Sequence, residues 1–189
     1  MKIRRVTTGH NAQGKSVFVS DTEVEGVNFA VLPGAEFHRL WGVDRVPAFP
    51  DSGAPPSYID YFPPLGGFRF MTFTVAPELQ TPLAPEDRHV LREEFRARLP
   101  GLADHMERNS PGMHTTSTID FEYIVSGEVW LELDDGASVH LRPGDTVVQN
   151  GTRHAWRNKG SESCHIVVFM VGVPRTPSGL EVARSASSQ

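Results

Sequence analysis

The chain has 189 residues, with 18 Lys and Arg against 23 Asp and Glu, a net charge of −5 and 39% hydrophobic content. That is enough for one well-buried core and short for two. The mild charge forms no basic stripe, which argues against a nucleic-acid partner, and the longest apolar run, residues 166–173, is far too short to span a bilayer, so no membrane partner is expected. Residues 2–8 and 16–20 read as short strands around a polar turn at 9–14, and residues 27–32 and 36–41 as a second pair turning at Pro33-Gly34. Residues 46–64 carry six prolines and are predicted loop, in which Tyr58, Tyr61 and Phe62 form either a lid or a surface cluster. Residues 68–75 read as a strand holding Arg69, which is read as a surface arginine or an anion contact. Residues 86–99 carry Val90, Leu91, Phe95 and Leu99 at helical spacing, with Glu86 and Asp87 in the first turn, and Pro100-Gly101 ends or kinks this helix. Residues 1–76 thus make a β extension, 85–107 a helical segment, and 176–189, rich in Ser and Ala, a flexible tail.

The chemistry begins at His114. Strand alternation puts His114, Thr116, Thr118, Asp120 and Glu122 on one face and Ile119, Phe121, Tyr123 and Val125 on the other. Short β runs punctuated by Gly127, Gly136, Gly144 and Gly151 predict a closed antiparallel structure with an interior, so the polar stripe needs partners there. His154, with Asn158 four residues on, supplies a second imidazole. His114, Asp120 and His154 either hold a divalent metal ion (Fe, Zn or Mn) as a three-ligand set with open positions, or form a hydrogen-bonded polar cluster. Glu122 is the candidate acid–base group, the alternative being a strand-holding contact. Thr116, Gln149 and Trp156 are the candidate substrate-pocket residues. His140 and His165 read as ordinary sheet residues and Cys164 as a structural thiol.

Residues 112–172 resemble a cupin barrel. His114 matches the first histidine of the first cupin motif, Asp120 its carboxylate, and Gly127 its closing glycine; Gly144, Gly151, His154 and Asn158 match the second motif. Thr116 stands where a second histidine is usual, and Gln149 where proline is usual. More narrowly, the stretches around His114 and from Gly144 to Asn158 resemble small single-barrel cupins of bacteria and fungi, some of them associated with aromatic polyketide pathways as proposed decarboxylases or oxidoreductases. The resemblance implies an all-β jelly-roll, with residues 1–175 as one cupin domain. It also implies a metal-dependent enzyme on a small oxygenated, aromatic or carboxylated molecule, with decarboxylation the first choice and Fe(II)-dependent oxygen chemistry the second; a non-catalytic binding module is the reading from another class.

Cys164 is the only cysteine and no signal-peptide pattern opens the chain, so the expected compartment is the cytoplasm. A homodimer is expected, formed by strands before Trp41 pairing with a neighbour.

Overall fold

The computed structural model describes residues 2–30, 32–55, 57–78 and 84–176; the tail expected at 176–189 lies outside them apart from its first residue. The expected N-terminal hairpin forms from β1 (Ile3–His10) and β2 (Ser16–Val24), a two-stranded sheet closed where the Asn11 side chain accepts the N–H groups of Gln13 and Lys15. In the second hairpin, β3 (Val27–Phe29) pairs with β4 (Leu32–Val43), but the reversal falls between Phe29 and Leu32 rather than at Pro33-Gly34. Phe29 is buried edge-on against Phe37 and Phe95, which fixes Val27 opposite Phe37 and pushes the surplus residues into a register shift where Gly34 takes a φ of 86°.

β4 then pairs with β5 (Phe68–Val75), β5 with β11 (Cys164–Gly172), β11 with β6 (Thr118–Ser126) and β6 with β9 (Thr146–Gln149), all antiparallel, giving one six-stranded sheet. A three-stranded sheet, β10 (Ala155–Arg157), β7 (Val129–Glu132) and β8 (Ser138–Leu141), packs Val129, Leu131 and Leu141 against Met71, Ile124, Ile166 and Val168 of the larger one. This is the all-β jelly roll. Gly127 turns β6 into β7 with a φ of 73°, and a Cβ there would lie 2.4 Å from the Ser163 carbonyl oxygen, so no side chain fits. β3 is an edge strand of the six-stranded sheet, and β1 and β2 form a sheet of their own.

Helices α1 (Pro85–Arg98) and α2 (Leu102–His105) lie between β5 and β6 in the chain. Proline in the first turn of α1, acidic residues there and arginines in its last turn suit its ends. Leu91 and Phe95 pack on the core and Leu99 is fully buried, one four-residue stripe; Val90, one position off that stripe, is exposed. No helix among the described residues is long and apolar enough to cross a membrane.

Arg69 corrects its sequence reading. It is fully buried, and its guanidinium donates to the carbonyls of Val43, Asp60 and Phe68 and to Asp44 Oδ1 at 2.6 Å, beneath the Tyr58 ring. A surface side chain or an anion contact has no room for four such acceptors; Arg69 ties the 44–67 loop to the sheet.

Candidate active site

The alternation predicted from His114 holds. Thr116, Thr118, Asp120 and Glu122 are buried while Phe121, Tyr123 and Val125 face out. His114 precedes β6 and joins His154 through an isolated antiparallel bridge, each backbone N–H donating to the other's carbonyl at 2.9 and 3.0 Å. Their rings lie 4.1 Å apart between centroids. His114 Nδ1–H donates to the Gly112 carbonyl at 3.0 Å and His154 Nδ1–H to that of Thr152 at 2.9 Å. Because a carbonyl only accepts, both Nδ1 atoms carry the proton, and each neutral ring keeps its Nε2 lone pair. Burial, together with the neighbouring His114, pushes the His154 pKa down to about 4, and burial lowers that of His114 too.

The carboxyl groups shift the other way. Burial lifts Asp120 to about 6, with a Thr118 hydrogen bond opposing, and lifts Glu122 well above the carboxylate range, with the Asp120 charge adding. Asp120 Oδ1 and Glu122 Oε2 are buried without a hydrogen-bond partner, the state in which a carboxyl group keeps its proton. The Tyr61 phenol is raised by burial first and then by the charges of these two residues.

All four side chains line a cavity of about 560 Å³ whose remaining wall is mainly apolar and aromatic: Phe37, Tyr61, Phe62, Phe73, Phe95 and Trp156. The volume suits a ligand of drug size. Tyr61 and Phe62 settle the reading of the proline-rich loop, since they form cavity wall and not a surface cluster. Phe37, Phe73 and Phe95 were legible only as core residues. Arg88, Leu91 and Arg92 bring α1 to the same cavity.

Of the expected pocket residues Trp156 lines the cavity, while Thr116 and Gln149 do not. The Thr116 hydroxyl is spent on Thr118 Oγ1 at 2.8 Å, and the Gln149 amide donates to the carbonyl and hydroxyl of Thr152. Asn158 caps a turn: its amide donates to the Val75 and Glu162 carbonyls and its oxygen accepts from Gly160 N–H. His140 stacks on Trp130 and meets Glu128 at 2.8 Å, and His165 bonds Thr74, so both are sheet-surface residues. Cys164 is buried and its thiol is pushed up to about 11 by burial, which suits a structural thiol.

The fit to a metal ion is partial. The two imidazoles present nitrogen lone pairs side by side, but among the described residues no three His, Cys, Asp or Glu side chains gather as a ligand set. Asp120 shares the cavity with the histidines without closing the expected triad. Strand parity gives the face of a side chain and not its distance along that face.

Residues 106–170 match the cupin domain family model. Over 58 residues the chain is 43% identical to phomopsin biosynthesis cluster protein C' of Diaporthe leptostromiformis, covering 31% of each protein; the match thus spans about a third of that relative's length. It is 27% identical over 154 residues to the cupin-domain-containing oxidoreductase virC of Hypocrea virens, covering 82% of this chain and 66% of that one. Among solved structures, a cupin 2 conserved barrel domain protein from Salinispora arenicola CNS-205 is 17% identical with a TM-score of 0.41, covering 90% of this chain and all of that one. The matched stretch takes in both motif histidines and the bridge between them, so residues 106–170 carry a cupin domain match centred on the candidate site.

Proposed function

We propose that this cupin is an enzyme that decarboxylates a small, mainly apolar, ring-sized organic acid, with Glu122 delivering the proton that replaces the carboxyl group. The observation that carries this reading is the Glu122 carboxyl, buried in an aromatic-walled cavity with Oε2 lacking a hydrogen-bond partner, where burial favours the protonated form. A bound carboxylate loses its hydration there, whereas carbon dioxide, being neutral, loses little. The electrons of the breaking C–C bond pass to the substrate carbon, that carbon takes the Glu122 proton, carbon dioxide leaves, and Glu122 is reprotonated from water. No net oxidation occurs. The reading sets the enzyme in a reducing cytoplasm, in keeping with its single buried thiol.

A second reading, oxidoreduction, is favoured by the curated relatives named as oxidoreductases, virC among them. It calls for an ion of iron, zinc or manganese, for which His114 and His154 are the residues with nitrogen lone pairs available. The test is a panel of aryl and keto acids, followed separately for carbon dioxide release and oxygen uptake. Release under argon supports the decarboxylase; turnover only with oxygen uptake transfers the assignment to the second reading. Binding without turnover of any panel member leaves a small-molecule binding module.

A further inference from the structure

One residue of the cavity wall differs from its neighbours. Tyr61 is only 5% exposed and packs edge-on against Phe37 and Phe62, with ring centroids 6.1 and 4.9 Å away, on a side of the wall that Phe73 and Phe95 complete. A phenylalanine would fill the same place, so packing does not call for the hydroxyl. The backbone that carries it is held at three successive residues: Arg39 Nη2 donates to the Ile59 carbonyl at 2.8 Å, Arg69 Nε to that of Asp60 at 3.1 Å, and Tyr61 N–H to the Pro100 carbonyl at 2.7 Å. Yet the Tyr61 hydroxyl makes no hydrogen bond with the described residues, and it belongs to the cavity that Asp120 and Glu122 line, near enough for both their charges to act on it. Buried phenols find partners, because an unpaired hydroxyl in an apolar wall is costly. Asp120 Oδ1 and Glu122 Oε2 also lack partners, so a donor and two carboxyl groups face one space with bonding capacity unspent.

We propose that Tyr61 donates a hydrogen bond to a substrate oxygen on the carbon next to the one bearing the carboxyl group, so that the substrate class is the β-keto acids. This rests on the decarboxylase reading and names the substrate of the same cavity. Burial and the neighbouring carboxyl charges keep the phenol protonated, so it is a donor there. When the bond to the carboxyl carbon breaks, its electron pair passes between the α and β carbons and on to the β oxygen, which becomes an enolate oxygen as carbon dioxide leaves. The α carbon then takes the Glu122 proton and the β carbonyl reforms. Tyr61 gives up no proton; its hydrogen bond strengthens as charge collects on the oxygen, which is the kind of contact that lowers a barrier. The anchored loop aims the donor in advance, so no reorganisation is needed when that charge develops. An acid with no oxygen at this position leaves the phenol unpaired and has nowhere to place the electron pair, so the same hydroxyl selects the substrate.

Two stable acids of one skeleton, β-hydroxy-β-phenylpropanoate and β-phenylpropanoate, differ only in that oxygen. In calorimetric titration of the full chain, the wild type binds the hydroxy acid about 3- to 10-fold more tightly. Tyr61→Phe abolishes the preference and changes the affinity for β-phenylpropanoate by less than about twofold. Turnover is read separately on β-oxo-β-phenylpropanoate, where Tyr61→Phe lowers kcat for carbon dioxide release by about 10²- to 10³-fold and moves KM far less. The variant unfolds at or above the wild-type temperature, because no bond within the protein is lost. A clear fall in that temperature marks the hydroxyl as structural and overturns the proposal. So does a wild type with no preference, a preference that survives Tyr61→Phe, an unaltered kcat, or failure of both acids to bind. A wild type that prefers the hydroxy acid through Tyr61, yet releases no carbon dioxide above the uncatalysed rate, sinks the decarboxylase reading and upholds the Tyr61 contact.

Discussion

His114 and His154, forty positions apart in sequence, are locked together by a reciprocal pair of backbone hydrogen bonds, and with each ring held through Nδ1 their centroids lie 4.1 Å apart. The pairing places two neutral imidazoles side by side in a cavity, where protonating either one penalises the other.

This arrangement makes a two-imidazole ion site the expectation. Titrated with zinc ion in a calorimeter, His114→Ala and His154→Ala each weaken binding by about tenfold or more, the range seen when a ligand sphere is damaged. Asp120→Ala, which removes a carboxyl outside any gathered ligand set, changes it by less than about threefold. A loss with Asp120→Ala equal to that of the histidine variants restores the triad.

Stability against pH follows from two opposed titrations. His154 falls from 6.5 to about 4 on folding, so protonation favours the unfolded chain; its contribution is complete above pH 6.5 and is lost as pH falls towards 4. Asp120 rises from 3.8 to about 6, so ionisation favours the unfolded chain; its contribution is complete below pH 3.8 and is lost as pH rises through 6. Each is worth about 3 kcal/mol, and they offset between pH 4 and 6. Relative to wild type, Asp120→Asn loses stability as pH falls through that window and His154→Gln loses it as pH rises, both read by urea denaturation.

Glu122→Gln keeps the shape and neutrality of the buried acid and removes its transferable proton. We expect kcat for carbon dioxide release to fall by about 10²- to 10³-fold, with KM changed less than about threefold. Stability should be unchanged or slightly higher. An unaltered kcat removes Glu122 from proton transfer.

Arg69→Met leaves three carbonyls without their donor while the half-exposed Asp44 carboxylate turns to water, and about 2–4 kcal/mol of stability should be lost in chemical denaturation. Arg69→Lys should recover less than half, because one ammonium cannot reach all four acceptors. Recovery to wild-type stability with lysine means that charge alone, and not the planar fork, holds the loop.

Local pattern exposed much of this in the sequence. Period-two alternation gave the inward stripe from His114 to Glu122, and four-residue spacing gave α1 with Leu91, Phe95 and Leu99 inward. What escaped depends on contacts distant in the chain. Arg69 is buried because the 44–67 loop folds over it, and Tyr61 and Phe62 face the cavity because that loop is anchored; neither leaves a periodic trace. The Pro33-Gly34 turn failed because burial of Phe29 outweighed the local turn preference.

Trp156 sits in the cavity wall, edge-on to His154 with 6.2 Å between ring centroids, while Trp130 is stacked flat on His140 and Trp41 stands beneath the Arg5 guanidinium. The protein therefore carries its own optical gauge. A molecule entering the cavity changes the surroundings of Trp156 and leaves the other two indoles as an internal baseline. Compound libraries can then be sorted by emission shift, with Trp156→Phe as the blank, ahead of any turnover assay.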